Sequence, residues 1–150
     1  MNIVNLADFP HFADTVADRG WKAWFADGSM TIEEYRNRVE PMLSPKGVPF
    51  CLVAEQGCVY AGSVLVIESD MEERPQYAPW IAALWVDPDH RGNGVGRQLL
   101  SAASEHAFDL GHRSCYLCTI PDNDEFYLGS GFELLESHVD GLNIFVKSRR

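Results

Sequence analysis

HRGNGVGRQLL, residues 90–100, decides how the rest of the chain is read. Gly92, Gly94 and Gly96 stand at alternate positions behind Arg91, and a helical apolar pattern starts at Val95. Glycine suits places where the backbone must turn to positive φ or lie close to another group. Ahead of the run, WIAALWVDP is apolar on both faces, which predicts a strand buried near the middle of its sheet. A strand, a glycine turn and a helix in that order point several free N–H groups and the positive end of a helix dipole at one place. That is an anion site, most naturally a phosphate site. A tight turn kept for close packing is the plainer alternative.

Two familiar phosphate motifs do not fit. A P-loop needs GxxxxGK followed by Ser or Thr, and no Gly-Lys pair of that kind is present. The dinucleotide fingerprint needs GxGxxG, whereas this chain offers Gly92, Gly94 and Gly96 and then Arg97.

Outward from this stretch, residues 2–6 predict a short strand. Residues 10–26 predict a helix ending near Gly28, with Phe12, Val16, Trp21, Trp24 and Phe25 in its apolar pattern. SMTIEEYRNRVEPML predicts a second helix, capped by Thr31 with Glu34 three residues on, and closed by Pro41 and Pro45. PFCLVAEQGCVYAGSVLVIES predicts two strands about a turn at Gln56-Gly57. Residues 94–110 form the long helix, with Val95, Leu99, Ala102, Ala103, His106 and Leu110 along one side. SCYLCTI is a further buried strand, residues 124–128 a short helix, and FELLESHV with LNIFVKS a hairpin over Asp140-Gly141. The order predicts a single domain over residues 1–150, an α/β (α+β) sandwich around a mixed sheet.

Composition narrows the function. The net charge of −10 argues against nucleic acid as partner, because phosphate neutralisation needs a basic face. It leans instead toward a cationic small molecule or peptide. No apolar run reaches the roughly 20 residues that span a bilayer, so no membrane is expected. The N-terminal residues lack the pattern of a signal peptide, and a cytoplasmic location is expected. Cys115 and Cys118 stand three apart in a strand and face opposite ways, and histidines at metal-ligand spacing are missing. No metal is expected, and reduced thiols are the reading for Cys51, Cys58, Cys115 and Cys118.

Arg91-Gly92-Asn93-Gly94-Val95-Gly96 resembles the (Gln/Arg)-x-x-Gly-x-(Gly/Ala) pyrophosphate loop of the GNAT acetyltransferase superfamily, here preceded by VDPDHRG. The downstream FYLGSGFELLE is similar to that family's Tyr-x-x-x-Gly-Phe signature, with Tyr127 four residues before Gly131-Phe132. The resemblance implies a three-layer sandwich, a central mixed sheet flanked by helices. It also implies transfer of an acetyl group from acetyl-CoA directly to a primary amine of a small molecule or peptide. The alternative is a non-catalytic acyl-CoA-binding or sensing domain of the same fold. A homodimer is common in the family.

The resemblance gives the residues jobs. Backbone N–H groups from Gly92 through Asn93, Gly94, Val95 and Gly96 to Arg97 would hold the pyrophosphate, with charge from Arg91 or Arg97. Leu84, Trp85 and Val86 would face the pantetheine, and a backbone N–H near Val86 would polarise the thioester carbonyl. Tyr127 is the candidate general acid, with packing beside CoA as its plainer role. Asp70, and second to it Glu68, are candidate bases, two apart at the end of SVLVIESD; a solvated strand end is the plainer reading. His138 and His112 rank below them, and His106 reads as structural. One departure from the pattern stands out. The asparagine usually found seven residues before the tyrosine is Ile120 here, and Asn123 is the substitute, at the wrong spacing. Acceptor-side residues would be Trp21, Trp24, Phe25, Tyr35 and the MEERPQYAPW loop, with Glu68, Asp70, Glu72 and Glu73 at the mouth suiting a cationic acceptor.

Overall fold

The computed structural model describes residues 1–150. Its elements run β1 (Asn2–Asn5), α1 (Ala13–Trp24), α2 (Ile32–Val39), β2 (Phe50–Gln56), β3 (Val59–Ile67), β4 (Trp80–Val86), α3 (Val95–Asp109), β5 (Ser114–Thr119), α4 (Asp124–Leu128), β6 (Glu133–Val139) and β7 (Leu142–Ser148). The seven strands form one sheet in the order β1-β2-β3-β4-β5-β7-β6. All neighbours are antiparallel except β4 and β5.

Local chemistry accounts for the element ends. The Thr31 hydroxyl accepts from the Glu34 N–H while the Glu34 carboxylate accepts from the Thr31 N–H, a complete capping box at the start of α2. The β6–β7 turn carries positive φ at Asp140 and Gly141, which matches the right-handed strand twist. The β2–β3 turn differs from the sequence reading by one residue. Gln56 pairs with Val59, so the turn residues are Gly57 and Cys58, both at positive φ. Glu55 steadies the strained Cys58 by accepting its N–H at 2.9 Å. Cys58 is consequently an exposed thiol, and helix α3 ends at Asp109, leaving Leu110 outside the buried stripe.

Two cores lie on opposite faces of the sheet. On one face α3 packs Val95, Leu99, Leu100 and Ala103 against Phe50, Leu52, Val64 and Phe145. On the other, α1 and α2 pack Val16, Ala17, Tyr35 and Val39 against Cys51, Val53 and Leu65. Strand alternation sorts the residues. Cys115 and Leu117 of β5 face α3, while Tyr116 and Cys118 face the other way with Trp80 and Ile144.

Two irregularities shape the centre. β4 places both Ala83 and Leu84 opposite Val64, a bulge whose first residue has φ of 53°. Beyond it, β4 and β5 pair only at Trp80 and Tyr116, so the parallel strands separate toward their C-terminal ends. Gly62 on β3 lets the distal part of β4 approach. A Cβ there would stand 2.6 Å from the Trp85 carbonyl oxygen and 3.3 Å from the Val86 Cα. Gly62→Ala should therefore push β4 away and cost about 1–3 kcal/mol. That corresponds to a drop of roughly 2–10 °C in Tm by thermal denaturation, and an unchanged Tm would contradict this packing.

Candidate functional site

The cleft lies where β4 and β5 separate, between the glycine loop and α4. Arg91 is extended, Gly92 and Gly94 have φ of 81° and 79°, and Gly94 is the N-cap of α3. No side chain caps this helix. The first intrahelical bond runs from the Gln98 N–H to the Gly94 carbonyl, which leaves the preceding amides without helical partners. Nothing lies within 4 Å of where a Cβ on Gly92 or Gly94 would sit. These glycines serve the left-handed backbone and keep the loop face open. Gly96 has Phe126 of α4 at 3.5 Å and Val86 at 3.6 Å from its Cβ position, so it admits α4 beside β4.

The backbone of β4 faces the cleft in a definable way. The Asp87 N–H bonds to the Ala61 carbonyl at 2.8 Å, toward β3. By strand alternation the Val86 N–H and C=O point to the opposite, open side. Arg91 already uses that carbonyl, its Nε donating at 2.8 Å, with its guanidinium 4.6 Å from the Trp85 ring centroid. Arg97 lies exposed in the first turn of α3, its Nη2 3.5 Å from the Cβ position of Gly129. Of the two arginines, Arg91 is therefore bound up in shaping the loop. Leu84 and Val86 turn to the α3 face, and Trp85 turns to α1, where Trp24 meets its ring edge-on.

Titratable groups meet from both faces. Tyr127 of α4 packs against the α3-side core and beside Phe132 and Phe145. Burial raises its phenol above the ordinary value, with Cys118 adding to the effect. From the other face the Cys118 thiol donates to Asp70 Oδ2 at 3.5 Å. Asp70 still meets solvent, yet the protein around it raises its carboxyl above the usual range, with the Cys118 bond opposing. Cys118 is pushed up to about 12, first by burial and then by the Asp70 charge and hydrogen bond, so it stays a thiol. Asp70 thus meets Cys118 on one face of the sheet, while Tyr127 packs on the other. The sequence held no signal for Cys118 in that place beyond its alternation with Leu117.

Other sequence candidates fall elsewhere. β3 ends at Ile67, so Glu68 and Asp70 lie in the following loop rather than on one strand face; Glu68 is exposed with no hydrogen-bond partner. Asn123 stands at the N-cap position of α4 without a capping bond, and its Nδ2 donates instead to Thr119 Oγ1 at 2.9 Å, tying α4 to the end of β5. His106 stacks edge-on against Phe50, a structural contact, and His112 sits near the start of β5, at the far end from the cleft. His138 occupies an irregular point of β6, its N–H bonded to Asn143. Among the acceptor-side aromatics, Tyr35 is buried, Trp21 donates to the Met30 carbonyl, and Trp24 is exposed. The loop before β4 is pinned to β6, where Glu136 accepts from Arg74 and from the Tyr77 hydroxyl at 2.6 Å. Those bonds hold the half-buried Glu136 carboxyl down at about 2. No three His, Cys, Asp or Glu side chains stand together as a metal site, and no helix is long and apolar enough to cross a membrane. A concavity of about 560 Å3 beside Phe108, Gly111 and Arg150 lies at the opposite end of α3 from the glycine loop.

The chain's relatives agree with this geometry. Residues 14–132 match the model of the acetyltransferase (GNAT) family. A mycothiol acetyltransferase of Propionibacterium freudenreichii subsp. shermanii is 32% identical over 117 residues, 75% of this chain and 36% of that protein. The present chain thus spans about a third of the length of that relative. An aminoglycoside 6'-N-acetyltransferase solved with coenzyme A superposes with a TM-score of 0.76 over 99% of this chain and 97% of that one, at 15% identity. A Salmonella typhimurium protein solved with its cofactor acetyl-CoA gives 0.74 over 98% and 92%, at 17% identity. At such identities these structures speak to the fold, a three-layer α/β sandwich with a mixed open sheet. The chain belongs to the acetyltransferase (GNAT) family.

Proposed function

We propose that residues 1–150 form one acetyltransferase domain that moves the acetyl group of acetyl-CoA directly to a primary amine of a small molecule or peptide. The observation that carries this reading is the uncapped glycine loop at the end of β4, where β4 and β5 part, with Asp70 bonded to Cys118 of β5 on one face of the sheet and Tyr127 packed on the other. The loop amides from Gly92 to Arg97 suit the pyrophosphate, with Arg97 supplying charge. The Val86 N–H suits the thioester oxygen, and the pantetheine fills the gap between β4 and β5 alongside Leu84. Asn123 supports the β5 wall of that gap.

The chemistry follows from the proton affinities. Asp70 takes a proton from the acceptor ammonium, freeing a lone pair on nitrogen. That nitrogen bonds to the acetyl carbon as the C–S bond breaks, and Tyr127 gives its proton to the departing thiolate. The second proton of the acylated nitrogen passes through solvent to the tyrosinate, leaving a neutral amide and free CoA thiol. A raised Asp70 accepts a proton better than an ordinary carboxylate, and a raised Tyr127 stays protonated at neutral pH. Cys118 remains a thiol and so offers no covalent route, consistent with direct transfer. Trp85, turned toward α1, leaves the acyl end of the cleft to smaller side chains, and Glu72, Glu73 and Glu68 at the mouth suit a cationic acceptor. A non-catalytic CoA-binding domain would have no use for the acid and base placed on either side of the opening.

Two measurements test this. With acetyl-CoA and a panel of spermidine, tyramine and glycinamide, release of free CoA thiol should require protein. Tyr127→Phe should lower kcat about 100-fold. For Asp70 the sign is set by its raised pKa: the base form is lost as pH falls, so the acid limb of kcat/KM should lie above the ordinary carboxylate range. Asp70→Asn should abolish that limb together with roughly 100-fold of the rate. Full activity in both variants would contradict the assignment. For the donor, Arg97→Ala should weaken CoA binding about tenfold by calorimetry, more than Arg91→Ala does. The reverse order would show that Arg91 leaves Val86 to meet the phosphates.

A further inference from the structure

One network on the α1 side of β4 has no part in the chemistry above. Asp87, the residue directly after β4, is at its centre. Its Oδ1 accepts from Arg19 Nε at 2.9 Å and from the Trp85 indole N–H at 2.8 Å, and its Oδ2 lies 3.3 Å from Arg19 Nη2. Its backbone is fixed too, the N–H to Ala61 and the carbonyl accepting from the His90 N–H at 2.9 Å. Arg19 belongs to α1 and lies over the Tyr60 ring at 5.5 Å from its centroid. On the far side, Trp85 is flanked by Trp24 of α1 and by the Arg91 guanidinium, which in turn holds the Val86 carbonyl. The contacts run without a break from α1 through Asp87 and Trp85 to Arg91, the first residue of the glycine loop. Arg19, Trp85 and Asp87 line a surface groove of about 720 Å3 with Lys22, Tyr60 and His90.

The arrangement is a specific one. A salt bridge at the surface gives little stability, and Arg19 has another carboxylate at hand in Asp18 on its own helix. Asp87 instead shares one oxygen between a cation on α1 and an indole on β4, so the rotamer of Trp85 depends on where α1 sits. Trp85 is the surface on which Arg91 rests, and Arg91 fixes the carbonyl next to the Val86 N–H. A shift of α1, the helix that walls the acceptor side, must therefore reach the cofactor loop through side chains in contact.

We propose that Asp87 is a positioning residue that couples helix α1 to the cofactor loop, so that Arg19, which faces away from the cleft, sets the affinity for CoA. This rests on the CoA reading of the glycine loop. The probe is CoA itself, titrated calorimetrically into wild type, Arg19→Met, Asp87→Asn and the double variant, with Lys22→Met as a charge control. Lys22 shares Asp18 with Arg19, at 3.1 Å, but bonds to neither Asp87 nor Trp85, so it tests charge on α1 without breaking the route to Arg91. Arg19→Met and Asp87→Asn should each weaken CoA roughly 3- to 10-fold. The double variant should be no weaker than the worse single one, and Lys22→Met should equal wild type. A purely structural salt bridge would lower Tm but leave CoA affinity alone. Arg19→Met binding CoA within twofold of wild type, or additive losses in the double variant, would overturn the proposal. The amide resonances of Gly92 and Gly94 in ligand-free Arg19→Met give a second reading. Their displacement is expected, and unmoved resonances count against the coupling even if wild type fails to bind CoA. That last failure would fall on the donor reading instead.

Discussion

Strands β4 and β5 are parallel neighbours that meet at the single pair Trp80 and Tyr116 and then part. A parallel ladder normally satisfies the N–H and C=O groups of both strands. Here the bulge at Ala83 and Leu84 bends β4 toward β3, Gly62 lets it come close, and one side of its last residues is left without a partner strand. Unpaired backbone in a sheet interior costs free energy unless something completes it. Arg91 completes one such group by bonding to the Val86 carbonyl. The rest of the opening is a gap in the middle of the sheet, with polar backbone on one wall.

Everything that points to function is arranged around that gap. The glycine loop begins where β4 ends, so the uncapped amides of α3 lie beside the open backbone rather than at a remote helix end. α4 brings Tyr127 from the α3 face, and the loop after β3 brings Asp70 from the other. Two groups whose proton affinities are both raised, one a carboxyl and one a phenol, are thereby held on opposite sides of a single opening. Separation by the sheet keeps them from pairing with each other, which suits the acid and base roles proposed for them. The pinned Arg74, Tyr77 and Glu136 cluster joins the loop before β4 to β6.

Much of this was legible in the sequence because it depends on local chemistry. The capping box at Thr31 and Glu34, the Asp140-Gly141 turn and the opposite-facing Cys115 and Cys118 each follow from residues a few positions apart. The glycine loop was readable because alternate glycines before a helix have few other uses. The bulge at Ala83 was not, since Ala-Ala-Leu carries no turn chemistry and the irregularity shows only in the register with β3. The turn falls at Gly57-Cys58, one residue later than the sequence suggests, because cysteine gives no hint of tolerating positive φ. The partnership of Cys118 with Asp70 joins residues 48 apart in sequence. Likewise, the choice of Arg91 for the Val86 carbonyl and the Trp85 ring depends on where a long side chain finds an acceptor.

The central claim is that the opening between β4 and β5, with the glycine loop at its end, is where the donor binds. Amide chemical shifts of the 15N-labelled protein, followed while acetyl-CoA is added, test it most directly. Saturable shifts are expected, largest at Val86 and from Gly92 to Arg97, extending to Tyr127 and Cys118, with Phe108 and Gly111 at the far end of α3 unmoved. No saturable shift, or shifts centred on Phe108 and Gly111, would contradict it and return the three glycines to the role of a packing turn.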